Sequence, residues 1–282
     1  MKRWLFLIYG VCCHLLFLGV FACMAAFVGN LLLPKTIDSP SALTAGAAVA
    51  VNLALVALFG LQHSIMARPG FKQAWTRFVP PPIERSTYVL VSCLVTILVM
   101  RHWQGIDAVV WKIEQPTLRT AAWALFAAGW LMVPVASLLI NHFDLFGTRQ
   151  VWLYFRGREY ATLPFRAPLA YRHVRHPLYH GWTLAFWATP TMTAGHLLFA
   201  VTMTGYMWGA ALLEERDLVR HFGAKYERYR KLVPMIIPRW KPAALEAVVP
   251  LAEEHFSTTA SSTSTGSLAA LTVSASGSPS SS

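Results

Sequence analysis

Charged residues are scarce in this sequence, and their scarcity narrows the class of protein. Asp, Glu, Lys and Arg make up 13% of the 282 residues, whereas soluble domains contain about 25%. Hydrophobic residues make up 55%, and the mean hydropathy is +0.45. This balance excludes an ordinary soluble domain and is typical of a membrane protein.

Cysteine is also rare, and its positions exclude a disulfide framework. The four residues, Cys12, Cys13, Cys23 and Cys93, lie inside apolar runs and have no CxxC spacing. We interpret them as small apolar residues, and we expect no bound metal.

Basic runs with interleaved aromatic residues, which single-stranded nucleic acids require, are missing too. The formal net charge is nevertheless +11. We therefore expect no nucleic-acid partner and look for a topological reason for the charge.

Long apolar runs are present, and four reach the roughly 20 residues that span a bilayer. A shorter pair follows, with a turn near residues 193–195. We therefore expect the all-α class: a polytopic membrane helix bundle with four full spans, a closing helical hairpin and a cytoplasmic C-terminal helix. This gives five or six membrane helices. The runs cover about 4–33, 42–66, 86–110, 117–140, 178–192 and 194–213.

Lys and Arg are distributed asymmetrically over these runs. With the N-terminus inside, 20 of the 24 basic residues fall on the inner side. The positive-inside rule then places both termini in the cytoplasm. Lys2 and Arg3 precede the first run as in a signal peptide, but the apolar core is too long, so we interpret it as a span.

The C-terminal part differs in composition from the rest. After Phe256 the chain is rich in Ser, Thr, Ala and Gly and contains no charged residue. We predict a membrane domain over 1–245 and a low-complexity, disordered tail over 246–282.

Polar residues at the start of the closing hairpin suggest a ligand site. Pro177 suits the first turn of a helix, whose free N–H groups and positive dipole end could hold a carboxylate. Tyr179 and Gly181 follow, and Gly181 would let a ligand or a neighbouring helix approach. The alternative is that Arg175, His176 and Tyr179 only mark the membrane interface.

The other end of the hairpin carries two adjacent acids. Glu214 and Glu215 suggest that at least one holds a ligand, such as a ribose hydroxyl or an ammonium, although either could pair with a neighbouring arginine. Tyr226 and Tyr229 share one helix face. They could wall an adenine, face a sulfonium cation, or simply pack.

Four motifs in this region carry a resemblance. In order and spacing they are similar to the isoprenylcysteine carboxyl methyltransferase-like integral-membrane methyltransferases. The resemblance implies that the chain binds S-adenosylmethionine in a cytoplasm-facing pocket formed by the hairpin and the C-terminal segment. The motifs are Arg-His-Pro-x-Tyr-x-Gly (175–181), Glu-Glu-x-x-Leu (214–218), Phe-Gly-x-x-Tyr-x-x-Tyr (222–229) and Val-Pro-x-x-x-Pro (233–238). The cofactor-binding residues it implies are Arg175, His176, Pro177, Tyr179, Gly181, Glu214, Glu215, Tyr226 and Tyr229.

Upstream clusters narrow the resemblance to one branch. Gln62-His63-Ser64, Glu84-Arg85-Ser86-Thr87-Tyr88 and the segment 141–152 closely resemble the bacterial methanethiol S-methyltransferases, over about residues 1–240. This implies that the chain makes dimethyl sulfide from a small thiol in the bacterial inner membrane, with the bilayer as its other partner. All these clusters fall on the predicted cytoplasmic side and could converge on one site.

Methylation of a thiol requires a thiolate, and a thiol has a pKa of about 8.5. A base or an anion-stabilising group is therefore needed. The expected base is His63, because imidazole titrates near neutrality. Arg85 or Arg149 could stabilise the thiolate, and Asp144 could orient a histidine. The catalytic candidates are His63, Tyr88, Arg85, His142 and Asp144.

A methanethiol-sized acceptor predicts a small apolar pocket, with Phe143, Phe146 and Trp152 as walls. Three alternatives remain open at this point. The same fold could methylate another acceptor, such as a prenylcysteine carboxylate or another thiol. The chain could bind haem, although His63, His142 and His176 lie at span ends rather than at mid-span. It could also be a non-enzymatic regulator.

Overall fold

The computed structural model describes residues 1–244 and shows a bundle of long helices. Within these residues, five helices are long and apolar enough to cross a membrane: Lys2–Val28, Ala45–Ala67, Pro81–His102, Pro116–Ile140 and Ala194–Phe222. The all-α prediction and the integral-membrane prediction are confirmed, while the predicted tail, 246–282, lies outside the described residues. In chain order the elements are α1 (Lys2–Val28), α2 (Ala45–Ala67), α3 (Pro69–Trp75), α4 (Pro81–His102), β1 (Val109–Lys112), α5 (Pro116–Ile140), α6 (His142–Leu145), α7 (Thr148–Phe155), a 3-10 helix (Leu169–Arg172), α8 (Pro177–Trp187), β2 (Thr191–Thr193), α9 (Ala194–Phe222) and α10 (Ala224–Leu232).

Two predicted spans end earlier than their apolar runs do. The first was expected to reach residue 33, but α1 ends at Val28, where the N–H of Leu31 bonds to the carbonyl of Ala26 and closes the helix. The third was expected to reach residue 110, but α4 ends at His102. The buried Asn52 side chain of α2 accepts a hydrogen bond from the Gln104 N–H at 2.8 Å and donates one to the Gln104 carbonyl at 2.7 Å. These two bonds hold the chain where it turns away from the helix.

The residues after α4 form a small sheet that the hydropathy pattern does not predict. Strands β1 and β2 pair antiparallel, with Val109 opposite Thr193 and Lys112 opposite Thr191. The Thr193 hydroxyl donates to Asp38 at 2.6 Å and so ties the sheet to the turn after α1. We call this side of the bundle the sheet end.

The closing hairpin has arms of very different length. α8 has 11 residues, which is about 16 Å of helix and about half of a bilayer core. The chain then continues to β2 without helical hydrogen bonds, so its carbonyls need other donors. His196 Nε2 lies 3.0 Å from the Phe186 carbonyl, the Trp111 indole donates to the Thr189 carbonyl, and Ile113 N–H donates to that of Pro190.

The short arm is held against α5 by a contact between backbones. A Cβ on Gly129 would lie 2.5 Å from the Ala185 nitrogen, and a Cβ on Gly181 would lie 3.0 Å from the Gly129 carbonyl oxygen. Small residues allow such close packing, which matters in lipid because helix association there depends on van der Waals contact. Of the two partners considered for Gly181, the structure places a helix beside it.

Candidate active site

One cavity of about 1610 Å³ opens at the end of the bundle away from the sheet. It brings together eleven of the fourteen residues that the sequence nominated. Pro177, Gly181 and Glu215 are not part of its lining. The eleven lining residues are His63, Arg85, Tyr88, His142, Asp144, Arg175, His176, Tyr179, Glu214, Tyr226 and Tyr229.

His63 lies on the last two turns of α2 and is held on three sides. Its Nε2 lies 2.7 Å from the Tyr88 hydroxyl, and its Nδ1 lies 3.2 Å from the Ser92 hydroxyl, both on α4. Its ring stacks on Phe59 one turn earlier in α2, with centroids 5.3 Å apart. The imidazole is therefore oriented by two hydroxyl groups, and Tyr88 lies beside it in the lining of the same cavity.

Arg85 brings a positive charge close to this pair. Its guanidinium carbon lies 4.8 Å from the centroid of the Tyr88 ring. Its Nε donates to the Leu145 carbonyl at 2.7 Å, which fixes the side chain to the segment after α5. A cation in this position favours negative charge on an oxygen or sulfur atom near Tyr88.

Asp144 does not orient a histidine as the sequence suggested. Its Oδ1 accepts from Arg149 at 2.8 Å, and its Oδ2 accepts from the Tyr160 hydroxyl at 3.2 Å. The Arg149 guanidinium is engaged in this ion pair, and it also donates to the Ala161 carbonyl at 3.0 Å. Both residues thus fasten the segment that follows α7.

His142 is oriented instead by Ser137 and His14. Its Nδ1 lies 2.8 Å from the Ser137 hydroxyl, and its Nε2 lies 3.3 Å from Nε2 of His14 on α1. Burial, with His14 nearby, lowers the pKa of His142 below its ordinary value of 6.5. Both ring nitrogens of His142 are thus engaged by neighbouring side chains, as are those of His63.

Gly147 explains how the segment after α5 reaches α4. It has a φ of +87° as the N-cap of α7, and a Cβ there would lie 2.7 Å from the Ser86 nitrogen. Glycine is the residue that tolerates both conditions. The turn that carries His142 and Asp144 is thereby packed directly on the α4 backbone, beside Arg85.

Glu214 and Glu215 have different environments. The Glu214 side chain is 46% exposed, lines the cavity and accepts from the Tyr179 hydroxyl at 2.8 Å. The His176 ring stacks on the Tyr179 ring, with centroids 5.2 Å apart and an interplanar angle of 8°. A carboxylate and two aromatic rings thus face the cavity together.

Glu215, by contrast, is an internal anchor with an 8% exposed side chain. Arg175 contacts both of its carboxylate oxygens, and His176 Nε2 lies 3.3 Å from Oε1. Arg175 also donates to the carbonyls of Arg230 and Val233. Glu215 and Arg175 therefore join α9, the start of α8 and the C-terminal segment behind the cavity wall.

Tyr226 and Tyr229 are both only 2% exposed and pack against Phe165. The Tyr229 hydroxyl donates to the Tyr171 carbonyl at 2.7 Å. Burial raises the pKa of both tyrosines above their ordinary value of 10.0. Their main contacts are with protein, and only a part of each ring reaches the cavity.

Residues 156–168, which we call the strap, have no helical structure, and several of them, including Tyr160 and Phe165, line the cavity. Tyr160 on the strap bonds to Asp144, while Phe165 packs on Tyr226 and Tyr229 at the other side. The strap therefore contacts both the His63 side and the Glu214 side of the site.

Some site residues were missed, and some predicted walls are elsewhere. Ser92 and Tyr206 line the cavity, and Tyr206 lies 3.2 Å from the Ser64 hydroxyl. Both are polar residues within spans, a signal that could have identified them. Phe146 lines the cavity as predicted, but Phe143 and Trp152 lie outside its lining and are exposed.

Comparison with known proteins gives a consistent result. The chain is 51% identical over 238 residues to the methanethiol S-methyltransferase of Mycobacterium tuberculosis, which covers 84% of this chain and 98% of that relative. It is 48% identical over 238 residues to the methanethiol S-methyltransferase of Crocosphaera subtropica, which covers 84% and 93%. Nurim of Rattus norvegicus is 31% identical over 196 residues, or 66% of this chain and 74% of that protein.

No family model matches the chain, and no solved structure matches it significantly. The two methanethiol S-methyltransferases nevertheless match 84% of the chain each. At 51% identity over 84% of its length, the chain belongs to the methanethiol S-methyltransferase family.

Proposed function

We propose that the protein transfers a methyl group from S-adenosylmethionine to methanethiol and forms dimethyl sulfide. The observation that carries this proposal is the single cavity shared by two clusters of different chemistry. One cluster, His63, Tyr88 and Arg85, is suited to deprotonating a thiol, and the other, Glu214, Tyr179 and His176, is suited to a cation.

The Glu214 side has a donor set that fits S-adenosylmethionine. A half-exposed carboxylate can accept from a ribose hydroxyl or attract an ammonium or sulfonium group, and aromatic rings favour a sulfonium cation. When bound, this cofactor supplies the methyl group as part of a sulfonium. Glu214, Tyr179 and His176 would hold it, and Glu215 with Arg175 keeps the surrounding elements in place.

On the other side, His63 acts as the base through Tyr88. The thiol proton passes to the Tyr88 oxygen as the Tyr88 proton passes to His63 Nε2, across the 2.7 Å hydrogen bond. Arg85, next to the Tyr88 ring, stabilises the negative charge on the sulfur. The thiolate sulfur then forms a bond to the methyl carbon, while the electron pair of the breaking bond remains on the donor sulfur.

Exclusion of water and alignment supply the rest of the rate acceleration. The strap lines the cavity and contacts Asp144 and Tyr229 on its two sides, so a strap closed over the ligands would keep the thiolate and the sulfonium in a shielded volume. The positive-inside distribution of Lys and Arg supports a site that opens to the cytoplasm of the inner membrane, with both termini on that side.

The experiment compares product formation by the native chain and two histidine variants. Cells that express the chain receive methanethiol, and dimethyl sulfide is measured in the headspace. We expect His63→Ala to lose most of the activity, because general-base catalysis contributes about 100-fold or more. His102→Ala, an exposed histidine at the sheet end, is the matched control and should retain full activity.

Two results would count against this assignment. Absence of dimethyl sulfide from the native chain would remove methanethiol as the acceptor and favour the alternative, another acceptor methylated by the same fold. Full activity of His63→Ala with normal production of dimethyl sulfide would leave the substrate intact but remove His63 as the base.

A further inference from the structure

The cavity is larger than its proposed acceptor requires. Pockets for drug-sized ligands occupy about 300–1,000 Å³, whereas this cavity measures about 1610 Å³. Methanethiol has only one carbon and one sulfur, so it fills little of the volume that remains when the cofactor occupies the Glu214 side. The small acceptor pocket expected from the sequence stays a prediction, and space is available beyond what methanethiol fills.

The additional space lies at the apolar end of the cavity, in the middle of the bundle. Its walls are provided by Phe21 and Met24 of α1, Phe59 of α2, Trp182 of α8 and Met203 of α9. These five side chains pack into one hydrophobic cluster and include no charged group. An ammonium, a carboxylate or a ribose would lose its hydrogen bonds there, at a cost of several kcal/mol.

The apolar end is adjacent to the base and distant from the Glu214 carboxylate, while the Tyr179 ring packs against the same hydrophobic cluster. Met203 precedes Glu214 by eleven residues on α9, which corresponds to about 16 Å along the helix. Phe59, by contrast, stacks directly on His63, with centroids 5.3 Å apart. A thiol whose sulfur lies beside Tyr88 and His63 therefore has apolar walls on the side away from Glu214.

We infer that the enzyme also methylates longer alkyl thiols, whose tails fill the space between Phe59, Trp182 and Met203. This inference rests on the proposed function. The chemistry is unchanged: the alkyl thiolate sulfur bonds to the methyl carbon of a sulfonium donor, the donor sulfur keeps the electron pair, and the thiol proton goes to His63 through Tyr88. The products are alkyl methyl sulfides.

The test is a substrate series with purified enzyme and S-adenosylmethionine. Methanethiol, ethanethiol, 1-propanethiol and 1-butanethiol are compared by gas chromatography of the sulfide products. Burial of each methylene is worth a gain of about fourfold in kcat/KM, so we expect a rising series. 3-Mercaptopropionate, which has a charged tail, should be a poor substrate. A series that is flat or falls after methanethiol would overturn the inference.

A variant that fills the apolar end provides a second readout. Met203→Trp should lower the ratio of kcat/KM for 1-butanethiol to that for methanethiol, because it occupies the space of the longer tail. Val201→Trp is the matched control, since Val201 lies on the same helix, is 49% exposed and is outside the cavity lining. An unchanged ratio in Met203→Trp would also overturn the inference.

The outcomes separate the two proposals. If methanethiol is methylated and longer thiols are not, only the inference about the apolar end fails. If no thiol is methylated, the proposed function fails with it.

Discussion

The same substitution at the adjacent residues Glu214 and Glu215 should change two different properties: stability for Glu215 and cofactor affinity for Glu214. Glu215→Gln removes the charge that faces Arg175 and leaves that guanidinium, with a 10% exposed side chain, without its counter-ion. Loss of one partner of a buried pair costs about 3–5 kcal/mol. We expect the free energy of unfolding to fall by about 3 kcal/mol, the lower end of this range, because the amide keeps one acceptor oxygen. The thermal midpoint should fall, and the C-terminal segment should detach.

Glu214→Gln should leave the folded state nearly unchanged, because its carboxylate is 46% exposed and has one tyrosine partner at 2.8 Å. A hydrogen bond to a charged group is worth about 1.5–3 kcal/mol. Its exposure favours the lower value, which is about a tenfold weaker Kd for S-adenosylmethionine. Calorimetric titration measures the affinity.

Glu227→Gln is the control, since Glu227 is an exposed acid on α10. It should change neither the thermal midpoint nor the Kd. The reasoning would be refuted by a Glu215→Gln protein that unfolds at the native temperature, or by a Glu214→Gln protein that binds the cofactor with native affinity.

Two further predictions concern the fold. Gly129→Ala should destabilise the protein by about 1–3 kcal/mol, because the new Cβ would lie 2.5 Å from the Ala185 nitrogen; Gly19→Ala, with no atom within 4 Å of the new Cβ, should not. Equal thermal midpoints for the two variants would contradict the close α5–α8 contact. The second prediction follows from the raised pKa of Tyr226 and Tyr229. Unfolded chains lose these protons at lower pH than the folded protein, so stability is complete below about pH 10 and decreases above it. A thermal midpoint measured from about pH 8 to about pH 11 should fall in the upper part of that range, and less steeply in Tyr226→Phe; a constant midpoint would disagree.

Helix positions were predictable because burial in lipid requires long apolar runs. Their ends were not, since hydropathy stops at charged residues while a helix need not. α4 begins at Pro81, before the apolar run, and its first turns contain the charged residues Glu84 and Arg85. α9 likewise continues to Phe222, past the charged residues Glu214 and Glu215 at which the apolar run stops.

The site was predictable as a set of clusters and not as a set of contacts. The sequence located His63 and Tyr88 on separate spans, but their 2.7 Å contact depends on how α2 and α4 are rotated. The division of roles between Glu214 and Glu215 likewise depends on which face of α9 meets Arg175. Such rotations follow from packing throughout the bundle, and local residue patterns do not determine them.

The backbone contact between Gly129 and Gly181 holds α5 and α8 together, so the side of the cavity formed by these helices is fixed. The side formed by the strap is more easily moved. Separation of α8 from α5 would break contacts along two helices, and no side chain could replace them. The strap, by contrast, is held by contacts of single side chains: Tyr160 with Asp144, Arg149 with the Ala161 carbonyl, and Phe165 with Tyr229. Opening the cavity by displacing the strap therefore costs less free energy than opening it by separating α8 from α5. We therefore expect ligands that arrive from water to exchange past 156–168, with the start of α8 held in position.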